Sequence, residues 1–370
     1  MKEYLSPKIG RILELFSIVC HLSRKKFVQS FLLSMISKGS VQFSKIAKHL
    51  NSSATDASNE RRIQSFFKDA EIDYEQVAQL LSMFIAFGKV DLCLDRTEWD
   101  FGKCQVNILC LSAYCQGIGV PLYVEMLDNN SGNSNTEQRI DLIEKGIALL
   151  GISRINAVIA DREFVGQHWI SYLMEQGIGL FLRVPKSYVF HVNGVALKAE
   201  QLLSSRNSCK LDNVDVLQLK GLSVGMEKKV DEKTKNTEYM IVLTNRFAYE
   251  ALRTYKRRWS IEVMFKKFKS DGFNLESTHL QALFKIKKLM ALVSIAFALC
   301  LHTGFYVNRY IKKIPIKNHG YKARSFFRAG LDQLQTILHE KTEEKMNILY
   351  DLIDSFIHLV HIKLLTTQEL

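Results

Sequence analysis

The chain has 370 residues, 47% of them hydrophobic, which is enough to bury a substantial core in two or three domains and excludes an intrinsically disordered protein. Its 50 Lys and Arg against 38 Asp and Glu leave a net charge of +12, which points to a polyanionic partner, either nucleic acid or an acidic membrane surface. Seven cysteines without a CxxC pair and ten scattered histidines, His358 and His361 among them, argue against a disulfide framework and a zinc site and fit reduced thiols in the cytoplasm.

In chain order, the start MKEYLSPKIGR does not read as a signal peptide, because a charge or a proline interrupts each apolar run. Residues 1–88 carry apolar positions at three and four spacing over Ile9 to Cys20, Phe27 to Ile36, Val41 to Leu50, Glu60 to Phe67 and Tyr74 to Phe87, which predicts a helical unit. Within it, VQFSKIAKHL, the polar turn NSSATDAS and NERRIQSFFK read either as a plain bundle or as a helix-turn-helix that presents Arg61, Arg62 and Gln64 to DNA. From Lys89 the period changes to that of strands: VDLCLD, QVNILCLSAYC and PLYVEML, with Gly117 and Gly119 marking a tight reversal. A helix over Thr136 to Leu150, the strand NAVIAD, a helix over Gln167 to Gln176 and the strand GLFLRV follow. The order β-β-β-α-β-α-β over residues 89–186 is that of a ribonuclease-H-like mixed α/β sheet.

Residues 187–245 predict a β-rich insertion, with a hairpin or loop around 226–238 and a strong strand at YMIVL. Residues 246–290 return to the core through a single helix from Tyr249 to Asp271, and 291–370 form a C-terminal helical region. The uncharged run Leu289 to Leu301 is shorter than a membrane span needs and reads as a buried core helix. Basic residues cluster locally: ten against three acids over Ala251 to Lys288, and seven against none over Asn308 to Arg328. Either run reads as a solvated face or as part of a DNA channel, whose grip would weaken steeply with salt.

Three acids stand out. Asp95 closes the apolar run VDLCL where the chain leaves the strand for DRTEWDFGK, and Asp161 closes NAVIAD; each reads as a local turn or capping residue, or as a ligand at the carboxyl end of a strand. Parallel pairing of the first and fourth strands would put the two side by side, where carboxylates repel unless a cation lies between them. On the helix TYKRRWSIEVMFKKFKSD, Tyr255, Arg258, Glu262 and Lys269 share one face opposite the apolar Ile261, Met264, Phe265 and Phe268. Spacing alone also admits a solvated face with weak i,i+4 ion pairs.

These residues resemble a known family. Tyr255, Arg258, Glu262 and Lys269 reproduce the Y-(2)-R-(3)-E-(6)-K signature of the insertion-sequence-family-four DDE transposases. DRTEW at 95–99 looks like that family's first-aspartate motif, ADREF at 160–164 like its second, and HGYKARSFFRAGL at 319–331 like its basic carboxy-terminal segment, so the resemblance spans about residues 60–335. It implies a ribonuclease-H-like core that cleaves transposon ends and joins the freed 3′-hydroxyl to target DNA, with Asp95, Asp161 and Glu262 as catalytic carboxylates holding two Mg²⁺ ions, for which Mn²⁺ would substitute. It further implies that Tyr255, Arg258 and Lys269 grip DNA phosphates, that the partner is DNA and not a membrane, and that the chain works in the cytoplasm as a dimer on paired ends. A nuclease without strand transfer and a silent DNA-binding regulator are the alternatives. One feature departs from some relatives, which hold a flipped base with a tryptophan in the insertion: the tryptophans here are Trp99, Trp169 and Trp259, leaving Tyr188, Phe190 or Tyr239 for that stacking role.

Overall fold

The computed structural model describes residues 15–368 apart from 51–52, 86, 102–103, 128–131, 233, 235, 319 and 341. The chain divides into two compact units, one of residues 85–97 and 107–264 and one of residues 1–84, 98–106 and 265–370.

The first unit is built on a ten-stranded sheet in the order β3-β2-β1-β4-β5-β10-β9-β8-β6-β7. Its first five strands are β1 (Val90–Phe101), β2 (Cys104–Cys115), β3 (Ile118–Leu127), β4 (Ile155–Ala160) and β5 (Gly179–Arg183). The β2–β3 pair is antiparallel, while β4 lies parallel to both β1 and β5, the mixed ribonuclease-H-like arrangement that the element order predicts. Crossover helices join the parallel strands, as their geometry requires. These are Thr136–Leu150, which opens with a capping box at Asn135 and Gln138, and Gln167–Glu175, which buries Trp169, Ile170 and Leu173. In β4 the residues from Ala157 to Ala160 are all fully buried, which is why the run is uncharged.

The insertion does not form a sheet of its own. Its strands β6 (Val189–Val192), β7 (Val195–Lys198), β8 (Ser208–Val216), β9 (Leu219–Val230) and β10 (Thr237–Thr244) continue the central sheet, because β10 pairs antiparallel with β5. The predicted reversal around 226–238 is the β9–β10 hairpin, in register from Thr237 with Val230 to Thr244 with Ser223.

Two expectations are corrected here. The strand carrying Asp95 does not end there: β1 runs on to Phe101, since Thr97 and Trp99 alternate with polar residues and turn inward to burial. The single helix predicted from Tyr249 to Asp271 is two helices, Ala248–Tyr255 and Trp259–Lys269, joined by a 3₁₀ turn at Lys256–Arg258. That turn is anchored by Arg257, which pairs with the buried Asp91 and lies over the Tyr114 ring at 5.4 Å.

The second unit is helical. Leu22–Lys38, Phe43–Ala47, Asp56–Asp69 and Tyr74–Ser82 share its core with Leu283–Tyr306, Phe326–Glu340 and Glu343–Gln368. Of the helix expected over Ile9 to Cys20, residues 9–14 lie outside the described residues and 16–20 are bends or irregular chain, not helix. The possible helix-turn-helix has a first helix of only five residues, Phe43–Ala47, and a second, Asp56–Asp69, capped by Thr55, on which Arg61 and Arg62 are exposed. Leu283–Tyr306 is long and apolar enough to cross a membrane, but most of its apolar stretch is buried inside the protein.

This helix packs on Phe326–Glu340 with almost no space between backbones: a Cβ added at Gly304 would lie 1.8 Å from the Phe326 carbonyl oxygen, and one at Gly330 would lie 1.8 Å from that of Cys300. A backbone carbonyl does not move aside as a flexible side chain would. Gly330→Ala should therefore force the helices apart and lower stability by about 3 kcal/mol, measured by denaturant unfolding against the parent chain.

Candidate active site

The register of β1 against β4 sets Leu94 opposite Ala160, so the next residues, Asp95 and Asp161, emerge side by side at the same edge of the sheet. Each carboxylate accepts the backbone N–H of the following residue, Arg96 N to Asp95 Oδ1 at 2.9 Å and Arg162 N to Asp161 Oδ1 at 2.8 Å. The turn-stabilising role foreseen as an alternative is thus real, and it coexists with other contacts.

The third acid arrives from the helix Trp259–Lys269. Its first turn sits close to the sheet because small residues line the contact: Cys93 Sγ lies 3.7 Å from Ser260 Oγ, and a Cβ added at Gly119 would stand 3.3 Å from the Ser260 carbonyl. This seating carries Arg258, whose side chain is only 11% exposed, onto the acids. Its Nη1 donates to Asp95 Oδ2 at 3.1 Å and its Nη2 donates to Glu262 Oε1, so one guanidinium bridges both carboxylates. The Nε–H of Arg258 is buried without an acceptor among the described residues. Asp161 faces other partners: Tyr255 Oη donates to its Oδ1 at 3.2 Å, and Arg183 Nη1 stands 3.9 Å from the same oxygen.

The electrostatics follow from this crowding. Burial pushes the Asp95 carboxyl up to about 6, and the Glu262 and Asp161 charges push the same way; Arg258 and the Arg96 N–H oppose this without cancelling it. Arg258 is raised above its ordinary value because the surrounding Tyr255, Asp95, Glu262 and Asp161 outweigh the burial that opposes its charge. Burial, in the first place, also raises the Tyr255 hydroxyl, which therefore stays protonated and donates.

Among the described residues no three side chains already converge as a formed metal cage, since Arg258 occupies the space joining Asp95 and Glu262. The donor set nevertheless suits a hard divalent cation, with three carboxylates, no sulfur or imidazole, and an Asp95 whose negative form is disfavoured until positive charge is added.

Sequence reasoning missed three charged neighbours. Arg183, the last residue of β5, spans from Asp161 to Glu238, its Nη2 standing 3.8 Å from Glu238 Oε1. Arg96 and Glu163, each directly after or near an acid, form a half-buried pair at 3.2 Å, and Arg96 also donates to Asn107 Oδ1 at 3.1 Å. The charged residue closing LFLR and the shared motif positions of Arg96 and Glu163 were the available signals. Of the remaining predicted residues, Lys269, Arg61 and Arg62 belong to the helical unit, where Lys269 Nζ lies 5.5 Å over the Trp99 ring. Phe190 is fully buried and cannot stack a base, whereas Tyr188 and Tyr239 are partly exposed.

A solved piggyBac transposase synaptic complex with hairpin DNA aligns with 9% identity and a TM-score of 0.49, covering 90% of this chain and 76% of that one. No curated protein matches the chain. The model of the transposase DDE domain family matches residues 91–301, which is more than half of the 370 residues and includes all three acids. The chain therefore belongs to the transposase DDE domain family and is an enzyme that acts on DNA.

Proposed function

We propose that the chain is a cut-and-paste transposase of the insertion-sequence-family-four, Y-R-E-K group, and that Asp95, Asp161 and Glu262 are its catalytic carboxylates. The observation that carries this reading is the approach of acids distant in sequence: two at neighbouring strand ends and a third tied to the first through Arg258. The family works with divalent metal ions, and in this reading the ion is Mg²⁺, with Mn²⁺ able to replace it. Asp95, Asp161 and Glu262 would hold the ions, whose chemistry would be to activate the attacking oxygen and neutralise charge on the phosphate without a histidine base.

Tyr255 and Arg258 flank the acids, where their donors are held by Asp161, Asp95 and Glu262; cations on those carboxylates would release the same donors toward phosphate oxygens near the cleaved end. Lys269 adds a point charge, and Arg61 and Arg62 on Asp56–Asp69 contact the recognised end. In this reading residues 1–88 form the end-binding region, 89–186 and 246–290 the catalytic core, 187–245 the β-rich insertion and 291–370 the C-terminal helical region. Two copies assemble on paired ends in the bacterial cytoplasm.

A product assay tests the reading. The purified chain, a duplex bearing the element's end and Mg²⁺ should yield a free 3′-hydroxyl and then joined products with a second DNA. Cleavage without joining would make the chain a nuclease on the same fold, and neither product would leave a DNA-binding regulator.

A further inference from the structure

The basic run from Asn308 to Arg328 is not used by the site described above, and the structure gives it a defined shape. Helix Leu283–Tyr306 ends in a π-turn, Val307–Ile311, closed by Lys312 N to Val307 O at 2.8 Å. The chain then makes a tight reversal: Ile316 and Lys322 form an antiparallel bridge, Lys317 N donates to Tyr321 O at 2.8 Å, and Gly320 turns the corner at φ 82°. Ala323 N returns to Pro315 O at 2.7 Å, and Asn308 Oδ1 accepts from Ile314 N at 2.9 Å, so the base is tied down as well. The glycine contacts between the two flanking helices hold that base in place.

The reversal stands out into solvent. Ile316 is 68% and Tyr321 75% exposed, beside the lysines of the same ribbon. Arg324 and Arg328 are neutralised by Asp332, but Lys312, Lys313, Lys317 and Lys322 have no carboxylate partner among the described residues. Because opposed residues share a face and successive ones alternate, Ile316 and Lys322 lie on one side of the ribbon and Lys317 and Tyr321 on the other.

We propose that the reversal Lys312–Arg324 is a DNA-docking finger that lies in a groove of duplex DNA, its lysines meeting the phosphate walls and Ile316 and Tyr321 lying against the sugars and base edges between them. A narrow two-stranded ribbon fits a groove, and a cation beside an apolar side chain on each face matches phosphate walls with sugars and thymine methyl groups between them. A membrane surface would instead require the apolar side chains gathered on one side. The inference rests on the reading that the chain acts on DNA and adds a contact surface within the helical unit, separate from the carboxylates.

The test is binding of the full chain to a short duplex of arbitrary sequence, followed by fluorescence anisotropy across a range of salt. Each lost phosphate contact lowers the slope of log affinity on log salt by about 0.9, so Lys317→Ala with Lys322→Ala should lower it by about 1.8 and weaken binding roughly 30-fold at physiological salt. Tyr321→Ala should weaken binding with the slope unchanged. Thermal melts of all variants should match the parent, since these side chains are exposed. An unchanged slope in the double variant overturns the proposal, as does loss of binding to phosphatidylserine vesicles with duplex binding intact. A parent chain without salt-dependent duplex binding removes the underlying DNA reading itself, which is a different result.

Discussion

Replacing Glu262 with Gln should lower Mg²⁺-dependent cleavage of transposon-end DNA by roughly 10³-fold or more, the scale of a single strong electrostatic contributor to a transition state, while binding of the end falls little. The amide keeps the size of the side chain and can still accept from Arg258 Nη2, so the fold around Trp259–Lys269 is retained. What it loses is the negative charge that would hold a cation beside Asp95 and Asp161. Single-turnover cleavage measured beside equilibrium binding separates the two effects. Retained cleavage would remove Glu262 from the chemistry, and loss of both activities together would mean that the substitution had disturbed the fold.

Asp95→Asn should abolish cleavage to a similar degree and at the same time make the metal-free protein more stable. The folded Asp95 carboxyl is pushed up to about 6 from 3.8, mainly by burial and then by the other two acids. A carboxyl whose folded value is raised binds its proton more readily in the native chain, so its ionised form costs stability above about pH 6. That cost shrinks as the pH falls from 6 toward 4. The full shift corresponds to about 3 kcal/mol, and solvent at the partly exposed carboxyl reduces the usable gain to about 1 to 2 kcal/mol. In chelator-treated protein at pH 8 the variant should therefore melt higher than the parent, and the gap should close as the pH approaches 4. A variant that melts lower at pH 8 would mean that the pair with Arg258 outweighs the burial of Asp95.

Much of this arrangement can be read from the residues. Asp161 was conspicuous because a fully apolar strand closes on an acid, and the parallel partnership of the first and fourth strands follows from the order of elements, which brings Asp95 beside it. Glu262 was identified through its spacing to Tyr255, Arg258 and Lys269 more than through its own surroundings. The details that escaped are tertiary ones. Periodicity cannot register the 3₁₀ turn at Lys256–Arg258, because the apolar pattern continues through it; the turn is fixed by Arg257 gripping the buried Asp91, 166 positions away. The extension of β1 past Asp95 depends on the burial of Thr97 and Trp99, which a run of mixed polar residues conceals. Arg183 could be seen as a charge closing a strand, but not as a neighbour of Asp161, since that contact comes from the pairing of β4 with β5. Likewise, the continuation of the central sheet by the insertion is set by one antiparallel pairing, β5 with β10, that no local pattern encodes.

The bridging guanidinium adds a physical link between the two ligand classes. While Arg258 holds Asp95 and Glu262, it supplies the positive charge that a cation would otherwise bring; on the proposed reading, a cation held by these carboxylates would free the same side chain to donate to phosphate. Metal binding and DNA binding at this site should therefore favour one another.

The central claim is that Asp95, Asp161 and Glu262 share divalent ions in the working complex. Anomalous X-ray scattering from Mn²⁺ in crystals of the full chain bound to cleaved end DNA measures this directly. Two strong peaks, each within bonding distance of an oxygen from at least one of these three acids and with both aspartates and Glu262 engaged, are the predicted result. Manganese bound elsewhere along the DNA, with Glu262 still held by Arg258, would contradict it.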